Sequence, residues 1–211
     1  GNTRPGARDR NGIRNALFAD LLVTTGLRLE EASSLITSDL VFADRRPGRQ
    51  IWLDLPDAQT KGDRGRQILV PARLLEQVRA YVDVERAHAV GKFQQRSKWQ
   101  SIDRPIFVHC ERHPARLRLL DGGNVALDLL DPEERCRIII CDNDGTPSEP
   151  AALWLSEIGM PVQPNSWEVI FARASNRCRS FGFDMSISPH QLRHTFAVHM
   201  LAMLIQHRIR D

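Results

Sequence analysis

The stretch that decides the reading is SPHQLRHTFAVHML, residues 188–201. Ser188 is a favoured N-cap and Pro189 a favoured first helical residue, so a helix starts here. Leu192, Phe196 and Met200 recur every four residues and predict an apolar side that is buried. His190 and Arg193, three residues apart, project together from the first turns. The free backbone N–H groups of a helix start also favour an anion nearby. With His194 next in line, this is an unusual polar load for a helix that otherwise wants to be covered.

A second stretch far upstream has matching chemistry. In TGLRLEEASSL, residues 25–35, Gly26 suits the C-terminal stop of one helix and LEEASSL starts another. Arg28 precedes Glu31 by three residues, a spacing at which the carboxylate can hold the guanidinium and leave its fork aimed outward. Either stretch alone reads equally well as a solvated helix end.

The remaining chain reads as mainly helical with a small antiparallel sheet, an α+β architecture. Residues 9–25 put Ile13, Leu17, Leu21 and Leu22 on one helix face, with Asp9 near its start. RQIWLDL (49–55) and RQILVP (66–71) read as two strands joined by the turn-rich PDAQTKGDRG. Pro71 then opens a helix with Leu74, Leu75, Val78, Tyr81 and Val82 on one side. Residues 91–150 are irregular: RPIFVH (104–109) and RCRIIICD (135–142) read as short strands, GNVALDLLDPEER and NDGTPSEP as turns and loops. A further helix is expected over 165–183, capped by Asn165 or Ser166.

No apolar run approaches the ~18 residues of a membrane span, and no signal-peptide pattern opens the chain, so a cytoplasmic protein is expected. The formal net charge is +3, but residues 111–160 carry five Arg against ten Asp and Glu, so the rest is strongly basic. Such a distribution suits a polyanion met by surfaces outside 111–160. Solvated surface charge would give the same numbers. Of 29 basic residues only three are lysines: Lys61, Lys92 and Lys98. The arginine excess suits phosphate, whose geometry a guanidinium fork matches, though GC-rich codon usage produces it too.

Together, TGLRLEEASSL and SPHQLRHTFAVHML resemble the two main signatures of the tyrosine recombinase (phage integrase) catalytic domain. Arg28 and Glu31 match its T-G-x-R-x-x-E pattern; His190, Arg193 and His194 match its H-x-x-R-H pattern. The family carries a lysine on a β-hairpin loop between them, and Lys61 stands in that loop. The match covers 9–85 and 150–205, leaving about 91–150 as an expected insertion in a single catalytic domain.

The resemblance implies cleavage and rejoining of double-stranded DNA through a 3′-phosphotyrosine, without metal or nucleotide cofactor. It also implies a homotetramer on DNA in the full-length protein and a nucleoid-associated location. Arg28, Lys61, His190 and Arg193 would be catalytic, Glu31 and His194 supporting. Arg64 and Arg66 of the hairpin are candidate DNA contacts. The chain departs from the family in two respects. The helical N-terminal DNA clamp has no counterpart, and the nucleophilic tyrosine, normally beyond H-x-x-R-H, is not among these residues. The sole tyrosine, Tyr81, falls at an apolar helical position and reads as core. A fragment inactive in cleavage is therefore expected, unless a partner donates its tyrosine.

Three other readings compete. A DNA-binding or regulatory remnant would keep the phosphate pocket without catalysis. A zinc module could use His109, Cys110, His113, Cys136 and Cys141, a loose fit to structural zinc spacing. A type IB topoisomerase shares this chemistry, but the motif context is more recombinase-like.

Overall fold

The computed structural model describes residues 11–40, 50–60, 62, 64–109 and 116–210. Asp9, Lys61, Cys110 and His113 lie outside them.

The first helix, α1 (Gly12–Thr25), stops at Gly26 as the sequence predicts. Gly26 is left-handed (φ 67°) and its N–H returns to the Leu22 carbonyl. The buried face of α1 is Arg14, Leu17, Phe18, Leu21, Leu22 and Thr25. Ile13, expected on that face, is 57% exposed, while Arg14 is only 4% exposed. Burial of Arg14 is tolerable because its guanidinium donates to the Leu155 carbonyl at 2.6 Å and lies 5.3 Å from the centre of the Trp167 ring.

Two short helices follow, α2 (Leu29–Ser33) and α3 (Thr37–Leu40). Strands β1 (Ile51–Leu55) and β2 (Arg66–Val70) form the expected antiparallel hairpin, in register from Ile51 opposite Val70 to Leu55 opposite Arg66. The helix after Pro71 is α4 (Ala72–Tyr81), which passes through a π-helical turn (Val82–Arg86) into α5 (Ala87–Gln95).

The segment expected to be irregular is more ordered than its composition suggests. It contains β3 (Ile106–His109), β4 (Arg116–Arg118), β5 (Asn124–Ala126), α6 (Pro132–Cys136), β6 (Ile138–Cys141) and β7 (Pro147–Pro150). Strand β6 pairs in parallel with β3 and antiparallel with β7. Parts of the two predicted loops are therefore regular. Asp131 caps α6 by accepting from the Glu134 N–H, and Glu134 returns the bond to the Asp131 N–H. NDGTPSEP supplies β7, whose prolines are tolerated because it is an edge strand.

The C-terminal part holds α7 (Pro164–Ser180) and α8 (Pro189–Arg210). Helix α7 begins one turn position earlier than predicted, with Gln163 at the N-cap and Pro164 pre-set for the first position. The main core joins α1, the hairpin, α4 and α7, centred on Phe18, which stacks on Trp167 at 3.6 Å and meets Trp154 edge-on at 5.5 Å. A second cluster around Val108, Ile138 and Leu127 reaches Ile36 between α2 and α3. Among the described residues no helix is long and apolar enough to cross a membrane.

Helix α8 is buried only near its start. Leu192 and Phe196 are partly covered, whereas Met200 is exposed, so the predicted stripe ends one turn early. Phe196 sits directly over Gly26: a methyl group there would stand 2.3 Å from its Cδ1 and 2.6 Å from its Cε1. Gly26→Ala therefore meets both a left-handed backbone and an occupied ring position. It is expected to lower stability by roughly 1–3 kcal/mol, read as a lower urea midpoint or melting temperature. An unchanged midpoint would mean that α8 is not seated on this corner.

Candidate active site

Helix α2 starts without a Ser, Thr or Asp cap. Its N-cap is Arg28, and Glu31 reaches back to accept the Arg28 backbone N–H at 2.8 Å. The same carboxylate accepts from Arg28 Nη1 at 3.1 Å. This is the Arg28–Glu31 pair expected from the spacing, and it is asymmetric in burial: Glu31 is 1% exposed and Arg28 37%. The guanidinium therefore keeps an open side.

Glu31 has a second cationic partner. Arg66, from the start of β2, donates Nη1 to Oε1 at 2.8 Å and Nη2 to Oε2 at 2.5 Å, a bidentate fork. Burial pushes the Glu31 carboxyl up, but hydrogen bonds from Arg66 and from the Arg28 N–H outweigh it. The result lies below the ordinary carboxylate range. Arg66 thus differs from its loop neighbour Arg64, which is exposed.

The hairpin is tied to α2 at another point as well. The buried Gln59 amide donates to the Glu31 carbonyl at 3.3 Å and to Ser34 Oγ at 3.0 Å. Beyond it, Gly65 N–H donates to Asp57 Oδ1 at 2.6 Å and Arg64 N–H to Thr60 Oγ1 at 3.1 Å. These bonds fix both stems flanking position 61.

Helix α8 brings the second motif to the same place. Ser188 accepts from the Gln191 N–H through its side chain and from the Leu192 N–H through its carbonyl, as the cap reading predicts. Arg193 Nη1 donates to the Gly26 carbonyl at 2.5 Å. Burial, then the nearby Arg28 charge, lower the Arg193 pKa, with Arg66 adding to the effect and Glu31 opposing it. A guanidinium nevertheless stays charged at neutral pH. His190 and His194 are exposed and face each other, Nε2 to Nε2, at 2.7 Å. One ring must donate and the other accept, so at least one is neutral in this arrangement.

Arg28, His190 and Arg193 line one cleft of about 670 Å³. Its far wall comes from α7, including Asn176 and Arg179, which the sequence reading did not single out. Their signal was present: residues 168, 172, 175, 176 and 179 recur along one helical face. A larger cleft of about 1050 Å³ on another flank of α7 is mainly apolar and is lined by none of Arg28, Glu31, His190, Arg193 and His194.

Two sequence candidates belong elsewhere. Tyr81 is buried, its hydroxyl donating to the Leu153 carbonyl at 3.4 Å and accepting from the Leu155 N–H at 3.3 Å. Burial raises its pKa, and the core reading holds. Of the zinc candidates, Cys136 and Cys141 are buried free thiols, and burial pushes Cys136 up to about 11. No group of three His, Cys, Asp or Glu suited to a metal occurs among the described residues.

This α+β domain gathers two guanidiniums and an imidazole from distant segments, an arrangement whose chemistry suits a phosphate. The model of the phage integrase family matches residues 5–209, and the chain belongs to this family, the tyrosine recombinases. No curated protein matches the chain. No solved structure matches it either.

The depressed Glu31 pKa has a pH signature. Its stabilisation is fully present above the unfolded carboxylate pKa and is lost as pH falls through the lower folded value. Glu31→Gln should cost roughly 1–3 kcal/mol at pH 7. The gap to wild type should narrow below the ordinary carboxylate range. Urea unfolding at pH 7 and at acid pH checks this; a gap that stays constant would remove Glu31 from the pH response.

Proposed function

We propose that this chain activates a DNA phosphodiester for site-specific recombination, by strand cleavage and rejoining through a 3′-phosphotyrosyl intermediate. The observation that carries the reading is the convergence of Arg28, His190 and Arg193 on one cleft from opposite ends of the chain. Membership of the phage integrase family agrees with it.

In this reaction the tyrosine oxygen forms a bond to phosphorus as the bond from phosphorus to the 5′ oxygen breaks. Charge grows on the non-bridging oxygens, and Arg28 and Arg193 clamp it with forks that never lose their own charge. His190 hydrogen-bonds the phosphate or accepts the tyrosine proton, its role as a donor or acceptor set by the tautomer. Lys61 protonates the departing 5′ oxygen. The ester to tyrosine conserves the bond, so attack by a 5′ hydroxyl of another strand rejoins DNA without a cofactor. Glu31 holds Arg28, and His194 holds the ring of His190. Arg64, exposed at the hairpin, meets the DNA backbone. The working assembly is a tetramer on DNA, within the nucleoid.

Tyr81, the only tyrosine of the 211 residues, is buried in the core and is not the nucleophile of this reading. A second reading keeps the same cleft for phosphate binding alone, a remnant that does not cleave. Mixing the chain with a full-length partner inactivated at its own first-motif arginine separates the two. Cleavage restored in the mixture supports donation of a tyrosine in trans; none in any combination supports the remnant.

In an assembly that cleaves, Arg28→Ala or Arg193→Ala should lower the cleavage rate by about 10²–10³ or more. DNA affinity should change far less, because each arginine meets one phosphate among many. Near-normal cleavage by either variant would remove that residue from the mechanism. Arg64→Ala should reduce the slope of log affinity against log salt by about 0.9, the loss of one phosphate contact. An unchanged slope would take Arg64 out of the interface.

A further inference from the structure

Arg66 carries an assignment that neither motif suggests. As a basic residue at the end of a hairpin loop, it reads from sequence as an outer DNA contact like Arg64. Its geometry is different. Both terminal nitrogens are committed to Glu31, at 2.8 and 2.5 Å, and the carboxylate they grip is 1% exposed. That carboxylate also holds the Arg28 backbone N–H at 2.8 Å and the Arg28 guanidinium at 3.1 Å. A carboxylate shared by two guanidiniums can swing toward either. With Arg66 on both oxygens, it has one orientation left in which to meet Arg28.

We infer that Arg66 is a positioning residue: through Glu31 it sets where the Arg28 guanidinium stands in the cleft, and so couples the hairpin to phosphate binding. The inference rests on the pocket proposed above. The link has mechanical sense, because Arg66 belongs to the strand that leaves the loop bearing Lys61. A displacement of the hairpin is transmitted to Arg28 by two hydrogen bonds and one carboxylate. Gln59, bonded to the Glu31 carbonyl on the other stem, keeps the hairpin and α2 from sliding apart. Arg66 itself is 32% exposed, but the fork of its two terminal nitrogens faces Glu31, so that edge cannot grip a phosphate without releasing Glu31.

The test uses tungstate, a tetrahedral oxyanion, titrated calorimetrically into the 211-residue chain. Double-stranded DNA binding is measured beside it at several salt concentrations. Wild type should bind tungstate in a manner that Arg28→Ala and Arg193→Ala abolish. Arg66→Met should weaken tungstate binding about tenfold, equivalent to roughly 1.4 kcal/mol, and Arg66→Lys should recover part of that loss. In the Glu31→Gln background, Arg66→Met should cost little more, because the path through the carboxylate is already cut. The salt slope on DNA should stay at the wild-type value in Arg66→Met.

A loss that persists undiminished in the Glu31→Gln background would mean Arg66 acts by its own charge, and the inference falls. Tungstate binding unchanged in Arg66→Met, with a salt slope lowered by about 0.9, would make it an ordinary phosphate contact. In both cases the pocket reading stands. Wild-type protein that binds no tungstate, or binds it independently of Arg28 and Arg193, overturns the pocket and the inference together. If Arg66→Met melts early or loses its helical signal, Arg66→Lys decides: weakened binding supports the inference, wild-type binding ends it.

Discussion

The site depends on the corner at Gly26. Helix α1 can stop there only because glycine accepts a left-handed backbone, and α8 can approach only because glycine has no side chain where Phe196 lies. Two consequences follow from that one position. The chain turns within two residues to present Arg28, and the Gly26 carbonyl becomes the acceptor that holds Arg193. The two arginines are 165 positions apart in sequence and are brought to one cleft by a residue that does no chemistry itself.

The cleft brings several positive charges together. Arg28, Arg66 and Arg193 are close enough to affect one another, and the buried Glu31 opposes them. Isolated, such a cluster is unfavourable, and folding stabilises it by the desolvated bonds to Glu31 and to the Gly26 carbonyl. On the proposed function, a phosphate between Arg28 and Arg193 would relieve the surplus positive charge. Preorganisation of this kind suits a reaction in which charge develops on phosphate oxygens, because the cations need not move when it appears.

Much of this was legible from residue order. The caps at Gly26 and Ser188 follow from backbone chemistry that acts within a few residues, so both helix boundaries were readable. The hairpin was readable because alternation and a turn-rich loop are also local. What escaped was decided by distant partners. Ile13 looked like core, but Arg14 is the residue that is buried, because the Leu155 carbonyl and the Trp167 ring satisfy its guanidinium. Arg66 looked like a loop charge because nothing nearby in sequence shows that Glu31 waits across 35 positions. The strands β4, β5 and β7 were missed because prolines and short runs weaken the alternation signal, while pairing of β4 with β5 and of β7 with β6 supplies what the local pattern lacks.

Helix α2 shows why such distant bonds matter for the site. Five residues are far too few for an independent helix, since nucleation alone costs more than one turn returns. The carbonyls of its last turn and of the two residues that follow are taken up one by one from other parts of the chain. Gln59 serves Glu31, the Trp154 indole serves Ala32 at 2.9 Å, Arg135 serves Ser34 at 3.1 Å and the Leu153 N–H serves Leu35 at 2.8 Å. Arg135 is itself buried and paired with Asp39 at 2.6 Å, so the 91–150 segment reaches directly to the back of the helix that carries Arg28 and Glu31. A guanidinium that positions a phosphate, the role proposed for Arg28, needs a rigid base. Here that base is a single helical turn braced from the hairpin, the 91–150 segment and the Leu153–Trp154 strip at once, and the precision of Arg28 is a property of those braces more than of α2 itself.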